Sequence, residues 1–397
     1  MNRKILYIHY GRKGIDGWGR SFKIASSLTK LGENVTFITL QNKNRIFPYI
    51  EEIIQNVKVV SFPELLPSKL KKLGFGFLSI YLKKRYLQDK EFDLLITDTI
   101  HRPSSYKIVN YAKKILKIKY ISEWWDYYGS GGQYENKNRF FKYFFGYKEL
   151  KGEIAHRKNV DGIICLSEFT KERAISSGIK EDKLIVVHGG CDVSQIKYYN
   201  SSIIHRKKYN IPEDKLVLGF IGINETEIED LEPFLNVMPE LSKQNKICWF
   251  TTGQILSKKT KIKYDIGNEL IELGWVDEKE FNKVISCADV FLLLQKDNLK
   301  NKARWPNKLG DYLSAGRPVL TNPINDIKIF IEKYPEGFIL VEWNKNSIIA
   351  VLYYILNHSS ILLKASKINR TIAENSESWL KKAEIIKSFY EALLLKK

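Results

Sequence analysis

The feature that most constrains this chain is an alternation that runs, stops and starts again. Apolar runs of strand length occupy residues 4–9, 34–40, 58–61, 93–97, 119–122, 162–166 and 183–187, and helical spacing separates most of them. After the first run, Phe22, Ala25, Leu28 and Leu31 share one helical face, and 104–116 and 167–177 also read as helices. Runs this short and this apolar suit strands buried on both faces, with the intervening helices as the crossovers of a parallel sheet. The polar stretch 192–210, with Tyr198, Tyr199, Asn200, Ser201 and Ser202 at its centre, interrupts the rhythm. The pattern then resumes with apolar runs at 216–221, 247–251, 271–273, 290–294 and 319–321. Helical patterns at 228–241, 278–287 and 306–314 lie between them, and helices follow from 345 onward. The expectation is an α/β protein of two doubly wound, Rossmann-like domains facing across a cleft, and 397 residues suit that number. The boundaries read 1–191, a linker at 192–210, 211–375, and a closing amphipathic helix in 376–397. Ligands of such sheets bind beyond the carboxyl ends of the strands, so the informative residues should follow strands.

Composition narrows the class. Hydrophobic residues at 44% and charged residues at 27% exclude wholesale disorder. No window holds 18 uninterrupted apolar residues, and residues 1–10 are too poor in apolar side chains for a signal peptide. A cytoplasmic chain is expected. Cys165, Cys191, Cys248 and Cys287 form no Cys-x-x-Cys pair, so they read as buried thiols, with no metal site. The net charge of +19 is lopsided: residues 1–200 carry 35 basic and 20 acidic side chains, residues 201–397 carry 29 and 25. An excess on one half points to a polyanionic partner there, whether nucleic acid, anionic lipid or a phosphorylated substrate. The total charge by itself could equally serve solubility.

Two segments carry candidate chemistry. Residues 11–20, Gly-Arg-Lys-Gly-Ile-Asp-Gly-Trp-Gly-Arg, follow the first strand and enter a helix. Glycines there let backbone N–H groups approach a ligand, although the spacing matches neither Gly-x-Gly-x-x-Gly nor a Walker A loop. Residues 304–318 place Pro306 at a helix start and Gly316 just past its end. Lys308 then lies in the first turn, where a cation is disfavoured unless an anion sits above it. Asp311, one turn on, can accept hydrogen bonds from a diol; a plain Lys–Asp surface pair fits the same spacing.

The stretch 274–318, with Gly-Trp-Val-Asp-Glu at 274–278, Ala-Asp-Val-Phe-Leu-Leu-Leu at 288–294 and Trp305 to Val319, resembles the donor region of nucleotide-sugar glycosyltransferases with the GT-B fold. The resemblance is to the large retaining family numbered four. The glycine loop, the segment 121–126 and the segment 186–192 are similar to its other landmarks, in order along the chain. The resemblance implies Lys308 near a donor diphosphate, Asp311 on the ribose, Gly274, Trp275 and Val276 near the base, and Gly17 and Gly19 near phosphate and acceptor. It places Asp126 at the active-site polar position, with Glu123 beside it. It further implies transfer with retention, no cofactor beyond the UDP- or GDP-type donor, no metal, and a closing helix that crosses back to the first domain. Three positions depart from the pattern. Ala303 stands where a paired Glu is usual, and Gly222-Ile223-Asn224-Glu225 replaces an Arg and a Lys, leaving Arg304, Asn307 and Arg317 as candidates for the missing contacts.

Residues 67–86 flank an apolar, aromatic middle with basic clusters, and 138–148 repeat that composition. Such segments suit an anionic membrane surface, with a buried helix whose lysines reach water as the alternative. The reading is a glycosyltransferase peripheral to the inner face of the membrane, acting on a lipid-linked or cell-surface glycan acceptor, with no nucleic-acid partner. The alternatives are a nucleotide-sugar epimerase of similar fold and a non-catalytic protein that binds anionic lipid or nucleic acid.

Overall fold

Every apolar run named above lies in or against a strand, and two further strands join them. The structure, a computed structural model, describes residues 2–43, 45–72, 74–98, 102–129, 132, 138–143 and 147–395. The chain divides into two units. Unit 1 comprises Met1–Gly189, Ala303–Trp305 and Trp379–Lys397, and unit 2 comprises Gly190–Lys302 and Pro306–Ser378.

In unit 1 the strands are β1 (Lys4–Arg12), β2 (Asn34–Leu40), β3 (Ile50–Ile54), β4 (Val57–Phe62), β5 (Leu94–Thr97), β6 (Lys119–Trp124), β7 (Gly162–Cys165) and β8 (Leu184–Val186). They pair in the order β3-β4-β2-β1-β5-β6-β7-β8. All neighbours are parallel except β3, which pairs antiparallel with β4. The sequence reading missed β3 because it is an edge strand with Ile53 exposed, so no continuous apolar run marks it. Alternate residues of β1 serve opposite faces, as the strand period requires. Ile5 and Tyr7 pack with helix Trp18–Lys30 and helix Trp379–Leu395, whereas Leu6 and Ile8 pack with Ile108, Val109 and Ala112 of helix Pro103–Leu116. Trp379, Ala383, Ile386, Tyr390 and Leu393 supply the apolar stripe that keeps the closing helix in unit 1.

In unit 2 the strands are β9 (Leu216–Ile223), β10 (Ile247–Gly253), β11 (Leu270–Glu272), β12 (Val290–Leu293), β13 (Val319–Thr321) and β14 (Phe338–Leu340). They form a parallel sheet in the order β11-β10-β9-β12-β13-β14. Leu218, Phe220 and Trp249 meet Leu231, Phe234, Ile348 and Leu352 in its core. The helical pattern at 228–241 is two helices, Ile228–Leu235 and Met238–Ser242. Pro239 has no N–H to continue the first, and opens the second.

The stretch 192–210 is not a free linker. It belongs to unit 2, where Arg206 is buried, donates to the Cys287 carbonyl at 3.0 Å and pairs with Asp289 at 2.7 Å. All four cysteines are buried thiols. Among the described residues no single helix is long and apolar enough to cross a membrane.

Of the two buried lysines in the basic stretch 67–86, Lys71 and Lys83, the second is enclosed completely. Lys83, on helix Leu78–Leu87, is fully buried, and its ammonium has no hydrogen-bond partner among the described residues. Burial pushes its pKa down to about 8, against the opposing pull of Asp98 and Glu64. The folded protein therefore releases this proton near pH 8, while the unfolded chain holds it to about pH 10.4. Between those values the unfolded state binds more protons, so this group raises stability as pH rises. Lys83→Met is expected to be more stable than wild type at pH 7, with the advantage shrinking steadily to pH 10. Urea midpoints of the two proteins across that range check it, and a constant difference would contradict it.

Candidate functional site

The carboxyl edge of the unit 2 sheet gathers the loops that follow β9, β10 and β11. The Gln254 N–H donates to the Ile223 carbonyl at 2.9 Å and the Gly253 N–H to the Gly274 carbonyl at 2.7 Å, which ties the three loops together. A side chain at Gly253, with φ +105°, would strike the Ile223 backbone, so glycine is required for that approach. After β9 comes a tightly fastened turn. The Asn224 side chain accepts from the Thr226 N–H at 2.9 Å, and Glu225 accepts from the Ser257 N–H and the Thr260 hydroxyl, each at 2.8 Å. Lys300 donates to the Thr226 carbonyl at 3.3 Å.

Lys308 reaches this edge from helix Lys308–Ser314. Its ammonium donates to Glu227 at 2.7 Å and lies 3.8 Å from the centroid of the Phe220 ring. The helix is seated from below. Gly310 passes so close to the Gly190 carbonyl that any Cβ would collide with it, and Ser314 accepts from the Asp192 N–H at 2.9 Å. Tyr312 stacks on Phe291 of β12, with ring centroids 4.0 Å apart. Pro306 precedes the helix by two residues instead of opening it, and Gly316 follows its end at φ +60° as expected. Asp311 is half-buried one turn along from Lys308, and Asn307 is exposed at the helix start. Gly274 stands at φ +65°, and the next residue, Trp275, is 86% exposed. Sequence reasoning placed Trp275 only within the segment 274–276, and did not single out Glu227 or Phe220.

One candidate is placed differently. Arg317 is buried and donates to the Ser286 carbonyl at 2.9 Å, so it holds the protein's own backbone and is not exposed to a phosphate. Burial lowers its pKa. Ala303, noted above as standing in place of a glutamate, is fully buried in unit 1, and its carbonyl accepts from the Ser167 hydroxyl at 3.0 Å. A carboxylate has no solvated place there. Arg304 is half-buried beside it, followed by Trp305, which stacks on His188 at 4.0 Å.

In unit 1, Gly17 caps helix Trp18–Lys30 at φ +89°, with the Trp125 ring where a Cβ would stand, while Gly19 faces open space. Asp16 holds Arg12 in a two-point pair at 2.6 and 3.1 Å. Glu123 is fully buried. One carboxylate oxygen accepts from the Tyr7 hydroxyl, and the other from Arg20 at 2.7 Å and the Trp125 indole at 3.0 Å. That carboxylate holds the site's walls and has no surface for a substrate, which corrects its expected place beside the reacting atoms. Asp126, just beyond β6, is half-buried, and its carbonyl accepts from the Trp124 indole at 3.1 Å. A second buried cluster escaped sequence reasoning. His9 at β1 bonds Asp98, which also accepts from Ser21 at 3.0 Å. Among the described residues no group of three or more His, Cys, Asp or Glu side chains could hold a metal ion.

Two doubly wound parallel-sheet units of this kind make the GT-B fold. The chain matches sucrose-phosphate synthase from Thermosynechococcus elongatus over 100% of both chains, with 13% identity and a TM-score of 0.75. HepE of Anabaena, solved with UDP and glucose, matches over 98% of this chain and 100% of its own, with 10% identity and a TM-score of 0.71. WaaG, a glycosyltransferase involved in lipopolysaccharide biosynthesis, matches over 97% and 99%, with 14% identity and a TM-score of 0.66. In sequence, residues 21–195 match the model of Glycosyltransferase Family 4. No curated protein matches the chain.

Proposed function

We propose that this chain is a glycosyltransferase that moves a sugar from a nucleoside diphosphate donor to a lipid-linked or cell-surface glycan, with retention and without a metal. The observation that carries the reading is the Lys308 ammonium at the carboxyl edge of β9, on the same edge as Gly274 and the exposed Trp275. A cation there offsets the charge that develops on a leaving diphosphate, a contribution that is often the largest in such catalysis. Asp311 is the acceptor for the ribose hydroxyls, and the indole face of Trp275 is available to the base. Asp126 and the glycine loop at Gly17 and Gly19 serve the acceptor side. The match of residues 21–195 to a glycosyltransferase family and the UDP and glucose bound to HepE support the same class.

The test is thermal unfolding of the full chain with UDP, GDP, ADP and CDP, followed by nucleotide release from the matching sugar donor. A ligand at 100 times its Kd adds about 2.7 kcal/mol to the folded state. Stabilisation by one diphosphate, with nucleotide release that needs an acceptor and persists in EDTA, is the expected result. Turnover of the nucleotide sugar without any acceptor would favour an epimerase instead. No stabilisation by any of the four would end the donor reading.

The acceptor side supports a membrane surface. Leu65, Leu70, Phe77 and Tyr81 are exposed in and beside the basic stretch 67–86, together with Lys69 and Arg85. Phe140 and Tyr143 are exposed in the second stretch, of which residues 144–146 lie outside the described residues. Each basic side chain near an anionic leaflet contributes about 1 kcal/mol. The protein is expected to sediment with phosphatidylglycerol vesicles and not with phosphatidylcholine vesicles. Phe77→Ser combined with Tyr81→Ser should weaken that binding about tenfold, and unchanged sedimentation would remove this surface from the proposal.

A further inference from the structure

The turn after β9 carries acid where the family resemblance leads one to expect cations, and one of those acids is already bound to the lysine assigned to the donor. Glu227 and Lys308 pair at 2.7 Å with side chains only 13% and 19% exposed, over the face of Phe220. We propose that Glu227 is a resident competitor for the donor phosphate: it occupies the Lys308 ammonium in the free protein, and a nucleoside diphosphate binds by displacing it. The inference rests on the donor reading of Lys308 given above.

The surroundings limit where Glu227 can go. The backbone of its turn is fastened by the Asn224 side chain, by both oxygens of Glu225 and by Lys300 on the Thr226 carbonyl. Displacement is therefore a side-chain rotation that leaves the carboxylate close to the arriving anion. The ligand must break an ion pair that is only partly solvated and then tolerate a like charge beside it, and both effects oppose phosphate binding. A nucleoside without phosphate meets neither. Glu227 thus sets a low affinity for the phosphate part of the donor while leaving base recognition untouched. Because the pair and the ligand are linked, anything that removes the Glu227 charge strengthens diphosphate binding.

Calorimetric titration of the full chain with UDP, GDP and the corresponding nucleosides tests this, using wild type, Glu227→Gln, Glu227→Ala and the double variant Lys308→Ala/Glu227→Gln. Glu227→Gln is expected to bind the diphosphate about tenfold more tightly, with nucleoside binding unchanged. The gain should shrink when Lys308 is absent, because then no pair has to be broken. Glu227→Ala removes the charge in a second way, so the test survives if the glutamine variant folds poorly. Equal or weaker diphosphate binding in folded Glu227 variants overturns the proposal while leaving the donor site intact. If wild type and every variant fail to bind any nucleoside diphosphate, the donor reading falls and this inference falls with it.

Discussion

Replacing Glu123 with alanine is expected to lower the stability of unit 1 by about 3–5 kcal/mol, the range for breaking a buried ion pair from one side. The carboxylate has no exposed surface and takes three donors, from Tyr7, Arg20 and Trp125. Without it, the Arg20 guanidinium stays buried against Trp379, still donating to the Val187 carbonyl at 2.9 Å. The Tyr7 hydroxyl and the Trp125 indole lose an acceptor as well. Trp125 is the ring against which Gly17 lies, so the glycine loop should loosen along with the core. Urea unfolding followed by tryptophan fluorescence measures the loss. Glu123→Gln keeps the shape and one acceptor oxygen, so it should cost less. A Glu123→Gln protein that melts like wild type but transfers no sugar would instead make Glu123 a reacting group.

Lys308→Ala is expected to leave the melting temperature nearly unchanged and to lower kcat/KM for sugar transfer by about 10²–10³, the effect of removing one preorganised charge from a developing anion. Stability should change little because the Lys308–Glu227 pair is partly solvated. The functional loss is large for two reasons. The diphosphate loses its cation, and Glu227 is left without that partner on the same edge, where it repels the ligand. Initial rates with the donor identified by thermal unfolding check the prediction. A Lys308→Ala enzyme within threefold of wild type would move the donor site away from this helix.

Much of this fold was legible because a doubly wound parallel sheet writes itself locally. Strands buried on both faces must be apolar nearly throughout, and residues such as 94–96 and 290–293 are. Strands that escape that rule also escaped reading: β3 and β14 are sheet edges, with Ile53 and Leu340 exposed. Residues 192–210 looked like a linker because they are polar, but the Arg206–Asp289 pair that binds them to unit 2 spans more than eighty positions. Composition cannot report a partner at that distance. Glu123 and Lys83 were misjudged for a related reason. Charged residues are usually solvated, and only the assembled core decides which of them are enclosed.

The sequence by itself determined the two-part α/β architecture, a helix ending at 314 with Gly316 beyond it, and the candidacy of Lys308 and Asp311. Those are matters of spacing and of backbone preference within a few residues. Only the tertiary structure decided what each charged group faces. It put Glu227 on Lys308, enclosed Glu123 with Arg20, turned Lys83 inward and gave Ala303 a buried place. Charge interactions depend on distance and on the water between groups, and neither is encoded by neighbours along the chain.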